Sequence, residues 1–251
     1  MGVSVTQRIK QVKQPRGGYV NPALFEITVK EEDAELAINE NIHPSLIGIA
    51  VDYLTRFSSG DSAEEAFKIS LKGAGLINKD KVAKTLLNNI TSLDDISIIN
   101  AVKLSGFDVV FRAGLSKYKP VEEIEPDAST INNIRIMVNR SLKFLEEYGP
   151  KILDGFTFVG GYTDTVSTGD GDFITEDTLW DFKVSKLPPK KEHTLQLLMY
   201  WRMGIRSNQK EFQNIKFLGI FNPRLNKVYK LPISKISDDL IKEVEKEVIG
   251  Y

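Results

Sequence analysis

The chain has 251 residues, 41% hydrophobic and 27% charged, with a formal net charge of −1, the composition of an ordinary globular protein. It has no cysteine and two histidines, which excludes disulfides, thiolate metal sites and cysteine nucleophiles and argues against a histidine-rich zinc site. Residues 1–30 are polar and lack the apolar segment of a signal peptide, and no run approaches a membrane span, so a cytoplasmic protein without membrane contact is expected.

Residues 1–40 are mixed, with a basic cluster of Arg8, Lys10, Lys13 and Arg16 ahead of Gly17-Gly18-Tyr19, a strand at 24–29 and an acidic stretch at 31–40. From Pro44 the pattern turns helical: Leu46, Ile49, Ala50, Tyr53 and Phe57 recur at helical spacing until Ser58-Ser59-Gly60. Asp61-Ser62-Ala63-Glu64 has the pattern of a capping box that opens a second helix through Lys72. Residues 79–90 and 93–104 read as third and fourth helices, the latter capped by Ser92 with Asp95. Residues 114–127, with Pro120 and Pro126, form the expected joint, placing a mainly helical region at 1–114 and a second region at 115–251.

A long helix is predicted over 129–148, with Ile131, Ile134, Val138, Leu142 and Leu145 on one face and Gly149 as its stop. Residues 178–184 read as a strand, 190–203 as a helix closed by Gly204, and 215–221 and 227–233 as strands flanking the turn Asn222-Pro223-Arg224-Leu225-Asn226. Ser237 caps a last amphipathic helix. Helix, strands, helix, strands is the order of a three-layer α/β/α sandwich around a mixed β-sheet.

Chemistry concentrates in one place. Side chains alternate along a strand, so Asp181 and Lys183 share a face while Trp180, Phe182 and Val184 take the other. The polar interval Thr175-Glu176-Asp177-Thr178 after Gly171-Asp172-Phe173-Ile174 suits a hairpin that brings Asp172 beside Asp181. Two carboxylates held that close repel unless a cation lies between them, and hard oxygen ligands suit Mg²⁺ or Mn²⁺. A lysine beside them could position a water or offset charge building on a phosphate. Lys186, Lys190 and Lys191 follow on the loop that leads to the helix, a fitting clamp for backbone phosphates.

These residues resemble the PD-(D/E)XK nuclease superfamily, in its branch of RecB-type and phage-type exonucleases. The resemblance spans roughly residues 130–233. It makes Asp172 the first acid, Asp181-Phe182-Lys183 the D-x-K element and the Phe182 carbonyl a further metal ligand. Gln196 and Tyr200, one helical turn apart, match the Gln and Tyr this branch carries on the next helix. A helix ahead of the sheet often adds an acid, and here Glu146 is the candidate because it lies nearer the apolar face than Glu147. Asp164 is a rival for the first acid.

The upstream histidine common in RecB-type members has no counterpart here. His193 shares a helix face with Gln196 and Tyr200 and could instead approach a phosphate. The resemblance implies a restriction-endonuclease-like core, a Mg²⁺ or Mn²⁺ cofactor and a nuclease acting on nucleic acid, DNA first. A protein partner or a homo-oligomer is compatible with it. The alternative is a non-catalytic nucleic-acid- or protein-binding module on the same fold.

Overall fold

The computed structural model describes residues 2–31 and 34–251, so Glu32 and Asp33 of the acidic stretch lie outside the described residues. In chain order the elements are β1 (Val3–Ser4), α1 (Val5–Gln11), β2 (Glu26–Val29), α2 (Pro44–Ser58), α3 (Ala63–Ala66), α4 (Lys68–Gly75), α5 (Asp80–Asn88), α6 (Asp95–Ser105), α7 (Asp108–Ala113) and α8 (Ala128–Tyr148). Then follow β3 (Leu153–Thr157), β4 (Val166–Thr168), β5 (Asp170–Ile174), β6 (Thr178–Phe182), α9 (Lys191–Arg206), β7 (Phe217–Asn222), β8 (Lys227–Pro232) and α10 (Asp238–Glu243). The fold class is mixed α/β.

The chain folds as two compact units, one made of Met1–Glu31 with Leu145–Tyr251 and the other of Glu32–Phe144. The first unit holds a six-stranded sheet in the order β2-β8-β7-β6-β5-β3, together with a two-stranded parallel pair of β1 and β4. Within the large sheet β6 and β7 run parallel and the other neighbours antiparallel. A parallel pair needs a crossover, and α9 provides it, lying against the sheet between the two strands it joins.

One face of that sheet and the helices over it make the main core of this unit. Ile174, Leu179, Ile220 and Leu231 from the strands meet Leu195, Leu198 and Met199 of α9, with Val5 and Ile9 of α1 and Val244 and Val248 near the C-terminus. Arg8 helps to close it by donating to the Val248 carbonyl at 2.8 Å and the Glu247 carbonyl at 2.7 Å, which satisfies the end of the C-terminal helix, where a π-helical turn over Val244–Ile249 continues α10. The other face carries Trp180, stacked with Phe173 at 6.4 Å between ring centroids and met edge-on by Tyr148 from the end of α8 at 5.4 Å.

α9 does not stop at Gly204. The glycine lies buried within the helix, where a Cβ would fall 2.0 Å from the ring of Phe212. A residue that looks like a helix terminator is there because an aromatic ring needs the space.

The second unit is helical. Ile47, Leu54, Phe67, Ile98, Leu104 and Phe107 are fully buried. Its polar centre is Asp108, whose carboxylate accepts from the Tyr53 hydroxyl at 2.6 Å, from Ser70 and from Arg112 at 3.3 Å. The expected second helix is broken at Phe67, whose backbone (φ −102°, ψ 17°) ends α3 and opens α4 so that its ring can be buried. Asp94 rather than Ser92 caps α6, accepting from the Ser97 amide at 2.7 Å, while Ser92 supports it with a hydrogen bond of 2.7 Å.

Candidate active site

β5 and β6 form an antiparallel hairpin in which Phe173 faces Trp180 and Ile174 faces Leu179, closed by the Thr175 amide donating to the Thr178 carbonyl at 3.0 Å. That register carries Asp172 alongside Asp181. Asp172 Oδ2 accepts the backbone N–H of Phe182 at 2.7 Å. Asp181 Oδ1 accepts from Lys183 Nζ at 2.9 Å. Lys183 is itself anchored through its amide to the Phe221 carbonyl of β7, at 3.0 Å. Asp172, Asp181 and Lys183 thus stand together, on two adjacent strands.

The electrostatics are those of a buried carboxylate paired with a partly covered lysine. Asp181 is 2% exposed, and burial raises its pKa above the usual carboxylate value while the Lys183 ammonium opposes the shift. Burial also pulls Lys183 toward its neutral form, but the carboxylates of Asp181 and Asp172 outweigh it and leave its pKa above the ordinary lysine value. Among the described residues the second oxygen of Asp181, Oδ2, is buried and has no hydrogen-bond partner. A buried carboxylate oxygen without a partner is costly.

α9 brings the next pair. Gln196 Nε2 donates to the Tyr200 hydroxyl at 2.8 Å, and both side chains are buried. Burial raises the Tyr200 pKa, and the negative charges of Asp181, Asp172 and Asp170 add to the shift, so the phenol keeps its proton. Asp170 was not among the sequence candidates. Its signal was the spacing of two from Asp172, which places both on one face of β5. His193 accepts the Lys190 backbone N–H on Nδ1 at 3.3 Å, bridging the first turn of α9. Burial and the nearby Lys183 charge push the pKa of its imidazole down to about 4.

Lys186 and Lys190 are exposed and Lys191 is partly covered. Their loop is held by Asn222, whose side chain donates to the Ser185 carbonyl at 2.8 Å. The N-terminal Gly17-Gly18 turn docks here too: a Cβ at Gly18 (φ +87°) would fall 2.5 Å from Lys191 Cβ. Thr194 of α9 donates to the Val20 carbonyl at 2.6 Å. Of the N-terminal basic cluster, Arg8 is spent on the C-terminal helix.

The structure does not bring Glu146 to this set. Glu146 is exposed, and Tyr148, two residues on, packs against Trp180, which alternation places on the face away from Asp181. Helical periodicity located Glu146 relative to its own apolar stripe but not relative to the two faces of the sheet. Asp164 is exposed on the connection between β3 and β4.

Among the described residues no group of three or more histidine, aspartate or glutamate side chains could hold a metal ion. The ligands the resemblance implies would be two carboxylates and a backbone carbonyl, those of Asp172, Asp181 and Phe182. Hard oxygens with one carboxylate oxygen lacking any partner fit a small divalent cation that retains several waters. No helix among the described residues is long and apolar enough to cross a membrane. No protein-family model matches the chain, and no match is found among curated proteins or solved structures.

Proposed function

We propose that this chain is a divalent-metal-dependent nuclease that hydrolyses phosphodiester bonds in DNA, on a restriction-endonuclease-like α/β/α core. The observation that carries the reading is the partnerless Oδ2 of Asp181, buried beside Asp172 and Lys183. A buried carboxylate with one oxygen unsatisfied is destabilising by itself and becomes favourable around a cation. Tyr148 against Trp180 on one face of the sheet and α9 on the other support the layered core.

Asp172, Asp181 and the Phe182 carbonyl would hold Mg²⁺ or Mn²⁺, which supplies Lewis-acid polarisation of a phosphoryl oxygen when bound. In the metal-free site Lys183 is held as an ammonium, because its carboxylate partners outweigh burial. Beside the metal it would orient the attacking water or steady charge growing on the phosphate. Tyr200 is a neutral phenol whose oxygen is occupied by Gln196, which leaves its O–H to donate. Lys186 and Lys190, exposed, and Lys191, partly covered, would clamp the backbone of the entering strand.

Thermal unfolding tests the ligand assignment. A ligand that binds only the folded state at a hundred times its Kd stabilises by about 2.7 kcal/mol, so millimolar MnCl₂ or MgCl₂ should raise the melting temperature of the native protein by several degrees. Asp181→Asn should lose that rise. A variant that kept the full metal-linked rise would show that Asp181 is not a ligand.

A further inference from the structure

His193 has a feature that its place in the active-site reading does not use. Its Nδ1 is occupied as an acceptor, taking the Lys190 backbone N–H at 3.3 Å. A neutral imidazole carries one N–H, so a ring that accepts on Nδ1 must carry its proton on Nε2. The neighbourhood keeps it neutral: burial disfavours the charged ring most, Lys183 and Lys190 add to that, and Glu192 opposes them. On α9, residues 193, 196 and 200 follow the i, i+3, i+7 spacing of one face, and Tyr200 of that face, hydrogen-bonded by Gln196, stands in the field of Asp181 and Asp172. His193 is only partly covered, and the lysines of the entry loop precede it directly.

We propose that His193 is an uncharged hydrogen-bond donor to the substrate, its Nε2–H directed at a non-bridging phosphate oxygen of the strand that enters between the lysine loop and α9. This rests on the nuclease reading above and assigns a particular chemistry to the entry face. A lysine on phosphate releases a counterion, whereas a neutral imidazole does not. The two kinds of contact therefore separate by salt dependence.

The test measures binding of a fluorescein-labelled DNA duplex to the full chain across a salt series, with Ca²⁺ replacing Mg²⁺ to hold cleavage back. His193→Ala should weaken binding about tenfold, as expected for a lost hydrogen bond to a charged group, with the slope of log K against log salt unchanged. His193→Gln should recover most of the loss. Glutamine at this helix position can still reach back to the Lys190 N–H while its amide nitrogen donates outward. Nitrogen-15 spectra of the histidine-labelled native protein, which has His43 as its one other histidine, should show the Nε2–H tautomer of His193 at neutral pH and a shift when DNA is added. An Nδ1–H or doubly protonated ring, a slope that falls with His193→Ala, or DNA that binds without moving the His193 signal would each overturn the proposal and leave the nuclease reading standing. A native protein that binds no DNA would remove that reading, and this proposal with it.

Discussion

Lys183 sits close enough to His193 to influence its ionisation, and their environments push the two to opposite outcomes. The lysine keeps its charge because Asp181 and Asp172 outweigh burial, whereas the histidine loses its own to burial and to that same lysine. A consequence for stability follows from the histidine. Its folded-state pKa of about 4 lies below its ordinary value of 6.5, so between those values the unfolded chain binds a proton that the folded chain refuses. Stability contributed at His193 is therefore complete above pH 6.5 and is lost as the pH falls toward 4. His193→Gln should flatten that part of the curve, measured as melting temperature from pH 7 to pH 4. An identical acid slope in both proteins would contradict the assignment.

At the scale of elements, the hairpin that holds the site was legible because it depends on a period of two. Alternation put Asp181 with Lys183 and set Trp180 opposite, and the register repeats that arrangement. Cross-element features were not legible. The face on which α8 ends is decided by Tyr148 meeting Trp180, a contact between residues distant in sequence, so Glu146 could not be ruled out from its own helix. Gly204 misled for a related reason: glycine ends helices so often that a glycine kept for the ring of Phe212 reads as a stop.

Gly204→Ala sets two effects against each other. Alanine in place of a helical glycine gains about 1 kcal/mol from propensity. A Cβ at 2.0 Å from two ring atoms of the fully buried Phe212 overpacks the core, which typically costs about 1–3 kcal/mol. The close approach to a rigid ring should win, leaving the variant less stable by up to about 2 kcal/mol, read as a lower denaturant midpoint. An equal or higher midpoint would mean the ring yields freely.

For the molecule as a whole, sequence order concealed which segments fold together. The expected joint at 114–127 followed a local excess of proline and glycine, whereas the compact units divide after Glu31 and after Phe144. The reason is pairing at long range: β2 adds to β8 at the edge of the large sheet and β1 adds to β4, which gathers the first residues into the unit of the last. No local pattern announces a strand partner about two hundred residues away. β1, β3 and β4 also escaped notice because two of them have only two or three residues and β3 carries polar residues and a glycine at φ +57°.

With a net charge of −1, the molecule has no overall field to draw in a polyanion, so the proposed binding of DNA would depend on the local lysines. Each phosphate contact contributes about 0.9 to the salt slope on duplex DNA. Lys186, Lys190 and Lys191 changed together to Ala should therefore reduce that slope by about 2 to 3 and weaken binding at low salt. An unchanged slope would show that this loop does not touch the backbone.

The most direct measurement is cleavage of linear duplex, circular duplex and single-stranded DNA, with RNA alongside, in Mg²⁺ or Mn²⁺. The native protein should cut DNA, lose the activity in EDTA, and lose it by a factor of at least about a hundred in Lys183→Ala, with that variant still folded. Cleavage that survived both EDTA and Lys183→Ala would contradict the site. No cleavage of any substrate by the folded, metal-supplied protein would contradict the enzyme reading and leave a binding module on this fold.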